Sequence, residues 1–144
     1  MATLNSGDLT SNSLYTPFPQ GDVGVRSGEI AVGTDLAAAD VLNFVTVKKG
    51  ERILGVSLVS STSLDTNGTQ ALSFDVGYDY GTGDDQETDA DAFVDGGTVA
   101  GRGLVSEGAI KGLTFPEDGK VTATVSVAAA TAAAGTLTLS VIIG

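Results

Sequence analysis

The sequence predicts an all-β chain, an antiparallel β-sandwich of jelly-roll type with an extended N-terminal arm. Three observations carry this. About eight strand-like segments recur along the chain, each bounded by turn signals. No segment shows the 3.6-residue periodicity of an amphipathic helix. Twenty glycines supply the conformational freedom that tight turns and bulges need. At 144 residues the chain reads as one domain with a single core.

Residues 1–22 are read as the arm and residues 23–144 as the body. In the arm, polar Thr, Ser and Asn surround Leu9, Leu14, Tyr15 and Phe18, and Pro17 and Pro19 flank the Phe. Proline biases its neighbourhood toward extended backbone, so no helix is expected here. Apolar anchors on a polar arm suit a segment that lies across a neighbouring subunit. A first edge strand or a disordered tail is the alternative. The absence of a basic n-region argues against a secretory signal.

In the body, residues 28–33 form a short strand centred on Ile30 and Val32. Residues 40–47 are apolar on both faces, as in a well-covered strand. Lys48-Lys49-Gly50-Glu51 is a turn. Residues 52–60 place Leu54, Val56 and Leu58 on one face. Asp65-Thr66-Asn67-Gly68 is a second turn. Residues 71–80 alternate cleanly: Leu72, Phe74, Val76, Tyr78 and Tyr80 point one way, Ser73, Asp75, Gly77 and Asp79 the other. Ala92 to Val94 is a short apolar patch. Residues 98–105 and 109–115 are weaker strands, and Pro116-Glu117-Asp118-Gly119 is a turn. Residues 120–127 bury Val121, Ala123, Val125 and Val127 and show Thr122, Thr124 and Ser126 outward. Residues 136–143 bury Leu137, Leu139, Val141 and Ile143. The small-residue run 128–135 is read as a hairpin loop between these last two strands.

Composition narrows function. There is no Cys and no His, which removes thiolate and imidazole metal sites, disulfides and the usual general base. No nucleophile motif is present, so the chain is read as not an enzyme. Net charge is −11, and the seven Lys and Arg are scattered. Nucleic acid and anionic membranes are therefore not expected partners. No run of 18 apolar residues occurs. Yet charged residues are only 17% of the chain, a balance that suits subunits buried in an oligomer.

Eight acidic residues lie between Asp75 and Asp95 with no basic residue among them. Asp85, Glu87, Asp89 and Asp91 alternate, and carboxylates so spaced on a loop can converge on Ca²⁺. They do not match an EF-hand. The other reading is a solvated acidic loop, with no cofactor at all. Tyr78 and Tyr80 share a strand face and either continue the core or stack on a sugar.

The order of segments resembles the small all-β structural proteins of tailed bacteriophages, including capsid decoration or cement proteins. The matching pieces are Val41 to Val47 running into Lys48-Lys49-Gly50-Glu51-Arg52-Ile53, then Phe74-Asp75-Val76-Gly77-Tyr78, then Thr88 to Gly96, and finally Ala130-Thr131 and Gly135 to Val141. The likeness spans roughly residues 40–143 and leaves out the arm. It implies a jelly-roll sandwich that assembles as a homotrimer on the capsid exterior, binds the major capsid protein and clamps capsomers. It implies assembly in the host bacterial cytoplasm and no catalytic residues. On this expectation Leu9, Leu14, Tyr15 and Phe18 contact a neighbour or the shell. Alternatives from the same residues are a tail or head-fibre component and a Ca²⁺- or carbohydrate-binding module.

Overall fold

Alternating segments pair into two sheets in a computed structural model that describes residues 3–5, 24–80, 89–97, 105–107 and 113–144. The strands are β1 (Thr3–Asn5), β2 (Gly24–Val32), β3 (Val41–Val47), β4 (Arg52–Ser60), β5 (Ser73–Asp79), β6 (Asp89–Gly97), β7 (Val105–Glu107), β8 (Leu113–Thr114), β9 (Gly119–Val127) and β10 (Gly135–Ile143). No helix occurs among the described residues. One sheet has the order β1-β3-β9-β5-β6. The other has the order β2-β10-β4-β7, with β8 also on β4. Every pairing is antiparallel except β1 on β3. Successive strands mostly change sheets, so the strands that hydrogen-bond to each other are far apart in sequence. This is the double-sheet jelly roll.

The core fills the space between the sheets. Leu42, Phe44, Val45, Val47, Phe74, Val76, Val121, Ala123 and Val125 bury from one side, and Ile30, Val32, Ile53, Val56, Leu58, Leu137, Leu139, Val141 and Ile143 from the other. Each fully buried side chain of this size contributes about 1.5–3 kcal/mol of transfer free energy.

Bulges explain where strict alternation fails. In β3 the register to β9 shifts between Asn43 and Val45, so adjacent Phe44 and Val45 are both buried. In β4 the register to β10 jumps from Gly55 to Ile53. Leu54, expected on the core face, sits on this irregularity and is only half-buried, while Ile53 takes the core position. In β9 the register to β5 shifts next to Ser126. That turns Val127 outward, 50% exposed, against the expectation that it is buried. Thr122 faces away from the core as expected, but it and its register partner Asn43 are buried rather than solvated.

Three further expectations change. Strand β2 begins at Gly24, earlier than the pattern around Ile30 indicates. Residues 128–134 are not a hairpin loop, because β9 and β10 belong to different sheets and the segment crosses between them. In the segment read as an arm, Thr3–Asn5 forms a short edge strand parallel to β3, with Leu4 packed against the core.

The crossing segment is held by one carboxylate. Asp65 is fully buried. Its Oδ2 accepts the N–H groups of Ala71 (2.8 Å), Leu72 (3.2 Å) and Ala130 (2.9 Å), and its Oδ1 accepts those of Thr131 (3.0 Å) and Asn67 (3.2 Å). Burial by itself would raise the Asp65 pKa. The backbone N–H groups of Ala71, Ala130, Thr131 and Asn67 outweigh it and hold the carboxyl well below the usual carboxylate range.

Candidate assembly surfaces

The two sheets present chemically different outer faces. On β2, β10 and β4 the outward rows follow the register. They run Val25–Ile142–Gly55, Ser27–Ser140–Ser57, Glu29–Thr138–Val59 and Ala31–Thr136. The single charge in these rows is Glu29, whose Oε1 accepts the Thr138 hydroxyl at 3.4 Å. Ser27 and Ser140 pair through their hydroxyls at 2.8 Å. Val25 and Ile142 are cross-strand neighbours and stand 61% and 42% exposed, a side-by-side apolar pair on a Ser/Thr surface. Sequence reasoning missed this pair. The available signal was the run Val141-Ile142-Ile143, since a period of two cannot bury three consecutive apolar residues.

The opposite face is acidic. Asp75 and Asp79 point outward from β5, beside Thr124 and Lys120 of β9. Asp91 and Asp95 of β6 are exposed and Asp89 is half-buried. Strand β6 is irregular. Its register to β5 shifts twice, and Gly96 has a φ of +69°. Asp75 Oδ1 accepts the Gly96 N–H at 2.8 Å, so one acid fastens the bulge of the neighbouring strand. Only the later part of the expected acidic loop can be placed. Asp89 and Asp91 lie in a strand, not a loop. Asp85 and Glu87 lie outside the described residues. Among the described residues no three acidic side chains come close enough to hold a metal ion. The expected partner contacts Leu9, Leu14, Tyr15 and Phe18 also lie outside the described residues.

Tyr78 and Tyr80 belong to the core edge. Their rings lie 4.7 Å apart, and Tyr80 meets Phe115 edge-on at 5.1 Å. Tyr78 also meets Phe93 and Phe115 edge-on. Burial first, then the neighbouring Tyr78 and Glu117, push the Tyr80 hydroxyl up to about 12. Neither ring is laid open as a sugar platform: Tyr80 is buried and Tyr78 half-buried.

No protein-family model and no curated protein matches the chain. Its fold is shared with chains of three phage capsids. A chain in the capsid of Ralstonia phage GP4 matches with a TM-score of 0.80 and 22% identity, covering 99% of this chain and 97% of that one. A chain in the capsid asymmetric unit of cyanophage Pam1 matches with a TM-score of 0.69 and 27% identity, covering 91% of each. A chain in the acid-stable capsid of Helicobacter pylori bacteriophage KHP30 gives a TM-score of 0.60 and 20% identity, over 84% of this chain and 86% of that one. The two-sheet sandwich described above is thus an architecture found in phage capsids.

Proposed function

We propose that this chain is a non-enzymatic virion structural protein, and more narrowly a decoration or cement protein. On this reading it sits on the outside of a phage head, binds the major capsid protein and strengthens contacts between capsomers. The observation that carries the reading is the end-to-end match to a chain of a phage capsid, 99% of one and 97% of the other.

The two faces support the reading. The face of β2, β10 and β4, whose outward rows carry Glu29 as their single charge, can pack against protein at little cost in buried charge, which runs to several kcal/mol per unpaired ion. The acidic face suits the solvent side, where like charge keeps particles apart. We assign the assembly as a homotrimer, formed in the host cytoplasm before it joins the particle. Leu9, Leu14, Tyr15 and Phe18 are the arm contacts, since apolar side chains set in a polar segment gain by burial against a neighbour. On this reading Asp85, Glu87, Asp89 and Asp91 hold no metal ion.

The test is to add purified protein to particles that lack it. Saturable co-sedimentation and a higher temperature of genome release are expected; absence of binding removes the decoration role. A chain lacking residues 2–20 should keep a β-type circular dichroism spectrum but bind particles poorly. Millimolar Ca²⁺ should leave the melting temperature of the free protein unchanged. A clear rise would make Asp85, Glu87, Asp89 and Asp91 a cation site instead.

A further inference from the structure

The turn that follows β4 brings together a side-chain amide, an unshielded backbone nitrogen and two supporting groups. Asn67 and Gly68 are both exposed. Asn67 Oδ1 accepts the Thr69 N–H at 2.9 Å, and Asn67 Nδ2 donates to Thr131 Oγ1 at 3.1 Å. The backbone N–H of Asn67 is itself fixed on Asp65 Oδ1 at 3.2 Å. A Cβ added to Gly68 would meet nothing within 4 Å, so space does not require glycine there. What glycine contributes is a nitrogen with no side chain beside it.

We propose that Asn67 is a self-modification site, at which the Gly68 nitrogen attacks the Asn67 side-chain amide. The new bond joins Gly68 N to Asn67 Cγ and closes a five-membered ring through Cβ, Cα and the Asn67 carbonyl carbon. The proton on Gly68 N passes to solvent base. Negative charge develops on Oδ1, where the Thr69 N–H already points, as an oxyanion donor does. The Cγ–Nδ2 bond then breaks. The leaving nitrogen takes its proton from the Thr131 hydroxyl, which is replenished from water, and departs as ammonia. One water opens the cyclic imide. Attack at Cγ yields aspartate, and attack at the main-chain carbonyl yields isoaspartate. One ammonia leaves, one water enters, and nothing is oxidised or reduced.

Either product places a new carboxylate two residues from buried Asp65 and against Thr131. Isoaspartate also lengthens the backbone between the N–H groups of Asn67 and Ala71, both of which Asp65 holds. The chemistry is therefore wired to the carboxylate that fastens the 128–134 crossing.

The test is peptide mass mapping of the intact folded protein after incubation in mildly alkaline buffer, with isoaspartate methylation as the second readout. The expected result is an amide-to-acid mass gain confined to Asn67, accompanied by isoaspartate, at a rate no slower than in a free peptide spanning residues 64–72. Thr131→Val should slow the folded protein by about tenfold, the loss of one proton-transfer partner, and Thr131→Ser should restore it. If Thr131→Val does not fold, the comparison of native protein with the same chain in denaturant replaces it, with native expected to be no slower. No mass gain at Asn67, or a folded rate well below that of the peptide, overturns the proposal.

Discussion

Asp65 and Glu51 lie beyond opposite ends of β4, a nine-residue strand spanning about 30 Å, and each ties sequence-distant segments together. Asp65 does so with neutral donors alone, five backbone N–H groups drawn from its own loop and from residues 130 and 131. Glu51 uses a countercharge. Both of its oxygens meet the Arg26 guanidinium, and Oε1 also accepts the Lys48 N–H at 2.7 Å. Arg26 comes from β2, reaches across to Thr46 O of β3 at 3.2 Å, and so joins the two sheets. Its partner sits in the Lys48–Glu51 turn, where Gly50 takes a φ of +87°. The difference teaches that convergent N–H dipoles can hold a buried carboxylate in its charged form without a countercharge. The two ends should therefore answer to different perturbations.

The largest effect is expected from Asp65→Ala, which deprives five backbone N–H groups of their acceptor at once. Its melting temperature should fall by more than about 10 °C, followed by circular dichroism. A fall of only a degree or two would mean that water or the backbone re-satisfies these donors. Asp65→Asn keeps one oxygen and should recover only part of the loss.

Acid should act on the same end. The folded pKa of Asp65 is depressed, so its contribution is full above the unfolded value, about 3.9, and is lost as pH falls below that toward the folded value. The stability gap between the native protein and Asp65→Asn should be constant at neutral pH and narrow below about pH 4. A gap that stays constant through that range would refute the depressed pKa.

At the other end, Arg26→Met should cost about 2–3 kcal/mol, between the ranges for exposed and buried pairs, because both side chains are about one-seventh exposed. Part of this cost should vanish at high salt, unlike that of Asp65→Asn. Gly119→Ala should cost about 1–3 kcal/mol by overpacking. Its Cβ would stand 2.8 Å from Asp79 O and 3.1 Å from Tyr80 Cα, both backbone atoms that cannot step aside. The smallest effect belongs to Val127→Thr on the outer face, within about 0.5 kcal/mol in urea unfolding. A larger loss there would show that Val127 is covered.

Most strands are legible in the sequence because alternation is a local property. Residues 136–143 show their inward row directly, and that row is buried; in residues 71–80 the inward row is buried except for half-buried Tyr78, and Ser73 and Gly77 of the other row are buried as well. Misreadings concentrate where pairing imposes a bulge. Leu54 and Ile53, or Val125 and Val127, differ in burial through the register of partner strands, which no local pattern carries. Asp65 reads as an ordinary turn residue for the same reason. Two of its five donors are about 65 residues away along the chain. The acidic stretch reads as one loop, although from Asp89 onward it pairs with β5. Charge at alternate positions looks the same in an exposed strand edge as in a loop.

The sequence by itself determined that this chain is made of strands, which side chains of most strands point inward, and that eight of its eighteen acidic residues crowd one stretch without a basic residue. These follow from side-chain period and composition, which neighbouring residues settle among themselves. Only the tertiary structure decided which strands pair and which face of the sandwich is acidic. It also decided that a turn aspartate anchors the crossing between sheets. Each of those depends on contacts between residues far apart in the chain, and their positions exist only once the two sheets have closed.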